Sequence, residues 1–256
     1  MKLFPHVAFM RTLVFILFLG VAVMLAPAQA NRETNPPISR DNASSQSTFQ
    51  LGARRVTIPA PDGFMNAFAK FDVIANRFIA TEYPGNETLA VHVPLEMADR
   101  IAKGENPQLD FYTKVFVSNK AKAVDLTEKQ FGDVAASYEA LARQILDPNG
   151  AVLKTTIANA QKGLSELNGT DVHLDLSEPK VLGYFEKKNN VFSTMIFVVI
   201  KLDDRSIPML SASSLLYLNK RLVFVSAYRV MNSEKDVSIL QEFSKTWTAK
   251  IVAANQ

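Results

Sequence analysis

The stretch Val191–Leu202, VFSTMIFVVIKL, constrains this chain more than any other. Successive side chains of a strand point to opposite faces. Met195, Phe197 and Val199 therefore take one side of this strand, and Ile196, Val198 and Ile200 the other. A strand apolar on both faces has to be covered on both. The sheet that holds it must be the middle layer of at least three.

The rest of the chain can supply those layers. Residues 181–187, 209–218 and 222–230 are further strands of an apparent meander, turned at Asn189-Asn190 and Asn219-Lys220, where Asn tolerates positive φ. A closing helix is predicted after them, capped by Ser233, with Asp236 in its first turn. Its stripe is Val237, Leu240, Phe243, Trp247 and Ile251. The middle of the chain is helical. Thr127 and Gln130 form a capping box ahead of a stripe running through Phe131, Val134, Ala135, Tyr138, Leu141, Ala142 and Ile145. Asp147-Pro148 stops that helix and starts a second one, with Asp147 as cap. Leu153, Ile157, Ala160, Leu164 and Leu167 are its stripe, and Asn168-Gly169 ends it. An αα-hairpin, or two helices at an angle, is expected.

Before the helices, residues 55–59, 77–83, 88–93 and 111–117 read as strands, and 94–102 as a short helix with Pro94 in its first turn. Residues 64–74 fit either pattern. The expected fold is one α+β domain over 51–256. It is a mainly antiparallel sheet in a three-layer sandwich, with the central helices on one face and the C-terminal helix on the other.

The N-terminus carries an address. Lys2 and Arg11 bracket a short positive start, an apolar run follows from Leu13 to Leu25, and Ala26-Pro27-Ala28-Gln29-Ala30 comes next. This is the order of a secretory signal peptide, with Ala28 and Ala30 at the cleavage site. A retained anchor is the alternative, but a spanning helix needs about 20 apolar residues and this run is shorter. The expected location is the bacterial periplasm or the medium, with no membrane attachment after cleavage. Residues 31–50, rich in Asn, Ser, Pro and Arg, are expected to be a flexible linker.

Composition narrows the chemistry. With Lys2 and Arg11 removed, the 28 basic residues fall to 26 against 25 acids, which leaves no electrostatic case for a nucleic-acid partner. The absence of Cys removes disulfides, thiolate metal sites and Cys nucleophiles. No Walker loop, dinucleotide fingerprint, nucleophile elbow or His-Glu-x-x-His motif occurs, so no cofactor and no metal is expected. His173 and Asp175 share a strand face but lack a third ligand. Ser211, Ser213 and Ser214 cluster without a base. Glu96 and Asp99 read as the wet face of a short helix. The Asn-x-Ser/Thr triplets at Asn42, Asn86 and Asn168 read as turn chemistry.

Two catalytic candidates remain, His92 and Glu82. Alternation around His92 puts it on the less buried side of its strand. Phe64, Phe68, Phe71 and Phe78 are denser than one segment needs, and Phe64, Phe68 and Phe71 are candidate binding residues. The final strand over 222–230 and helix over 234–254 with Trp247 resemble the ending of the PsbP/Mog1/DcrB-like sandwich group, over about the last 75 residues. That resemblance implies a three-layer sandwich and an assembly factor or binding module. The expected function is a non-enzymatic module that binds an envelope protein or a small ligand. An envelope hydrolase using a carboxylate or His92 is the alternative.

Overall fold

The computed structural model describes residues 46–147 and 150–256. The leader with Ala28 and Ala30, linker residues 31–45, Pro148 and the side chains of Leu141, Ala142 and Ile145 lie outside the described residues. An eight-stranded sheet forms the centre, flanked by helices on both faces. The β8 strand (Val191–Leu202) pairs antiparallel with β9 (Arg205–Leu218), and β9 with β10 (Arg221–Val230). Beyond β10 come β5 (Phe111–Ser118), β4 (Asn86–Pro94) and the short β3 (Phe64–Asn66). At the other edge, β6 (Leu174–Leu176) and β7 (Lys180–Lys188) both pair with β8. The Asn219-Lys220 turn has positive φ at both residues, 49° and 66°.

Alternation along β5 and β10 assigns the two faces. Tyr112 and Phe116 of β5, with Phe224 and Tyr228 of β10, face α2 (Asp72–Ala80), α4 (Glu128–Ile145) and α5 (Ala151–Asn168). Phe78 of α2 meets Tyr112 edge-on, and Tyr138 of α4 meets Phe192. Val115, Val117, Val223 and Val225 point the other way, onto Trp247 and Ile251 of α6 (Lys235–Ala253). The three-layer α+β arrangement read from the sequence is the one observed. The hairpin of β1 (Gln46–Leu51) and β2 (Arg54–Pro59) packs beside α6 through Leu51, Val56 and Ile58.

Several elements differ from expectation. Residues 77–83 are not a strand. Residues 72–80 form α2, because Ile74, Ala75 and Phe78 bury one helical face and no proline interrupts before Pro84. Residues 46–50 belong to β1, whose backbone bonds to β2 supply what its side chains do not. Pro94 is the N-cap of α3 (Leu95–Ala102) rather than part of its first turn. Gly150, not Asp147, caps α5. Ser233 does not cap α6; Asp236 accepts from the Asn232 and Ser233 amides at 2.9 and 2.8 Å instead. The Thr127 capping box forms as read, with Thr127 N donating to Gln130 Oε1 at 2.8 Å and Gln130 N to Thr127 Oγ1 at 3.2 Å.

The α5 helix crosses the end of α2 at Gly163, where an added Cβ would lie 1.9 Å from the Ala80 carbonyl oxygen. Helix propensity favours Ala over Gly by about 1 kcal/mol, but overpacking a close crossing costs roughly 1–3 kcal/mol. Gly163→Ala is therefore expected to lower stability, read as a lower urea midpoint with an unchanged m-value.

Candidate functional site

His92 lies opposite Thr113 in the β4–β5 pairing, with Nδ1 2.9 Å from Thr113 Oγ1. Its ring meets Trp247 edge-to-face at 5.6 Å. It is 1% exposed, so the expected less buried position is incorrect. Both faces of β4 are covered, and α6 lies over the one that carries His92. Burial lowers the pKa of the imidazole to about 3 and keeps it neutral. Its Nε2 has no hydrogen-bond partner among the described residues.

Glu82 follows α2 and turns inward. Its Oε2 lies 2.7 Å from Lys114 Nζ and also accepts from Thr88 Oγ1. Its Oε1 accepts from Tyr83 N at 3.1 Å and Asn86 Nδ2 at 3.2 Å. The Lys114 and Glu82 side chains are 3% and 9% exposed. Thr113 and Lys114 are successive residues of one strand, so their side chains leave opposite faces. The partner of His92 is thus on one face and the partner of Glu82 on the other. The sheet separates the two catalytic candidates.

The serine cluster is divided in the same way. Lys114, Ser226, Ser213 and Thr194 stand in register across β5, β10, β9 and β8, forming a polar row on the face under α2, α4 and α5. Ser213 bonds to Ser226 at 3.0 Å and to Ser211 at 2.9 Å. Ser214 points the other way and pairs with Ser193 at 2.7 Å. Glu186, Ser193 and Thr248 continue that second network beneath α6. These hydroxyls bond to one another, and among the described residues no imidazole bonds them to activate one as a nucleophile. His173 and Asp175 are exposed, and Asp175 lies 3.9 Å from Lys201 Nζ. No group of three His, Asp or Glu residues able to hold a metal occurs among the described residues. Glu96 and Asp99 are exposed on α3.

The aromatic candidates do not form one cluster. Phe64 packs with Phe111 and Phe243 at 5.0 and 5.3 Å, beneath α6. Phe68 lies within the short helix α1 (Ala67–Lys70) and Phe71 caps its C-terminus, and both rest half-buried against the cluster that contains Ile74 and Phe78. Val73, next along the chain, is 42% exposed, and Ile79 is 54% exposed. Sequence reasoning missed the buried cations Lys114, Arg77 and Arg221. Lys114 sits in an apolar alternation, and nothing local announces its distant partner. Arg221 Nε donates to the Leu51 carbonyl at 2.8 Å. Arg54 and Arg221 both bond the Asp125 carboxyl and hold its pKa down to about 2.

No protein family and no curated protein matches the chain. Solved structures of Mog1 do. A point mutant of protein Mog1 is 14% identical, with a TM-score of 0.33, over 83% of this chain and 95% of that one. The Saccharomyces cerevisiae Ran-binding protein Mog1p is 12% identical, with a TM-score of 0.30, over 82% and 95%. The likeness to the Mog1/PsbP-like fold is weak, and it concerns the fold alone.

The Glu82–Lys114 pair is expected to be structural. Glu82→Gln keeps the shape but leaves the ammonium buried without its counter-charge, at a cost of about 3–5 kcal/mol. Thermal denaturation reads that loss, and adding Lys114→Met should recover much of it. His92 sets a pH dependence. Below about pH 6.5 the unfolded chain binds a proton that the folded chain refuses until about pH 3. Its contribution is complete above pH 6.5 and falls away as pH drops toward 3. Between pH 7 and about pH 4.5 the loss is roughly 2–3 kcal/mol in urea unfolding, and His92→Leu should remove that increment.

Proposed function

We propose that the chain is an exported, non-enzymatic binding module that works in the periplasm or the medium by engaging an envelope protein. One observation carries the reading. Glu82 and His92, the groups best suited to acid–base work, lie on opposite faces of the sheet and are each enclosed by their own structural partners. An acid–base mechanism needs such groups within reach of one reacting atom, and the sheet lies between these two.

The contact surface proposed is the corner of α1 and α2. Phe68 and Phe71 are half-buried there and Val73 is exposed, while the exposed Ile79 lies at the far end of α2. Exposed apolar side chains gathered at one corner suit a protein partner. The order of positive start, apolar run and Ala28-x-Ala30 supports export. No helix among the described residues is long and apolar enough to cross a membrane.

The test is cross-linking in the cell followed by mass spectrometry, with N-terminal sequencing of the recovered protein. The expected result is a chain beginning at Asn31 and a defined cross-linked partner. Val73→Asp and Phe71→Asp should remove that partner while leaving the circular dichroism spectrum unchanged. A partner retained in both variants overturns the assignment to this corner. A start at Met1 overturns the export reading.

A further inference from the structure

Arg77 is a buried cation with one terminal nitrogen unbonded among the described residues. It projects from the inner side of α2 and is 5% exposed. Its Nη2 donates to Asn106 Oδ1, and its Nη1 has no hydrogen-bond partner among the described residues. Asn106 is neutral, and among the described residues no acidic side chain forms an ion pair with the guanidinium. The adjacent acid, Glu105, is occupied, with its Oε2 accepting from Arg100 Nε at 2.7 Å. Burial without a counter-charge lowers the Arg77 pKa to about 10.

The other buried cations of this fold are treated differently. Lys114 has Glu82, and Arg221 has Asp125. A guanidinium offers five donors in a planar fork that matches an oxyanion. Leaving one unpaired in a low-dielectric site is costly unless a charge arrives to meet it. The covering segment, residues 103–110, has no regular secondary structure. It is held down at the buried Pro107 and Leu109, while Asn106 between them and the helix is half-buried. Asn106 thus both bonds Arg77 and keeps part of its own surface at the solvent.

We propose that Arg77 and Asn106 form a binding site for a small oxyanion, the carboxylate or phosphate group of a ligand that enters beneath residues 103–110. Arg77 Nη1 donates to the anion, and Asn106 holds the other arm of the guanidinium in place. This deepens the binding reading by naming a ligand class, yet the two fail separately. Loss of the cross-linked partner leaves this site intact, and loss of anion binding leaves the α1–α2 corner intact.

The experiment is thermal unfolding of the purified full chain in sodium phosphate, sodium acetate or sodium chloride at equal ionic strength. Phosphate or acetate should raise the Tm over chloride by about 2–4 °C, saturating with concentration. The stronger of the two identifies the ligand group. Arg77→Met should abolish the increment. Asn106→Asp supplies an internal carboxylate where the carboxamide already accepts. It should raise the Tm in chloride and abolish the increment, which keeps the proposal testable if Arg77→Met does not fold. Equal Tm values in all three salts for the unsubstituted chain overturn it, as does an increment that survives either substitution.

Discussion

The double-sided burial of β8, β9 and β10 is the constraint on which the rest of the architecture depends. These strands place Phe192, Leu215 and Phe224 on one face and Leu216, Val223 and Val225 on the other, all buried. Neither face can be left wet, because each large apolar side chain transferred from water contributes about 1.5–3 kcal/mol. One covering layer comes from α2, α4 and α5. The other comes from α6 with the β1–β2 hairpin beside it. Trp247 joins the parts of that second layer, since its Nε1 donates to the Pro59 carbonyl at 2.8 Å while its ring packs against His92.

Polar side chains inside such a sandwich need partners within it. The row Lys114, Ser226, Ser213 and Thr194 crosses the central strands between two apolar clusters; Lys114 pairs with Glu82, Ser213 bonds Ser226, and Thr194 Oγ1 donates to the Gly183 carbonyl. A second network joins Glu186, Ser193, Ser214 and Thr248 beneath α6. Each buried group so satisfied avoids a desolvation cost of about 1–3 kcal/mol. Arg77 and His92 depart from this pattern, each with one buried nitrogen unbonded among the described residues. In His92 the unbonded nitrogen belongs to a neutral ring, whereas in Arg77 it belongs to a cation.

The layered fold was legible because it follows from periodicity. The meander, the capping box at Thr127 and the stripe of α6 are local patterns, and the structure reproduces them. The errors came where local pattern and tertiary context disagree. Residues 77–83 are rich enough in apolar groups to suggest a strand, but Ile74 and Phe78 are one helical turn apart and meet the same cluster. His92 alternates with apolar residues, which signals solvent on its side when a sheet has one wet face. Here there is none. The pairing of Glu82 with Lys114 joins residues whose relation depends on how α2 leads back toward the sheet. No spacing rule connects them, and the same holds for Arg221 and Leu51.

The clasp at Arg221 joins positions 170 residues apart in the chain, and Trp247 reaches Pro59 across 188. A polypeptide is made from its N-terminus, so the β1–β2 hairpin exists long before the surface that receives it. Leu51, Val56 and Ile58 stay unsheltered until β10 and α6 have been made. Contacts this distant in sequence slow folding, because the loop between them must close before they contribute. The first strands of the domain are thus among the last to settle, because the elements that shelter them span residues 221–253.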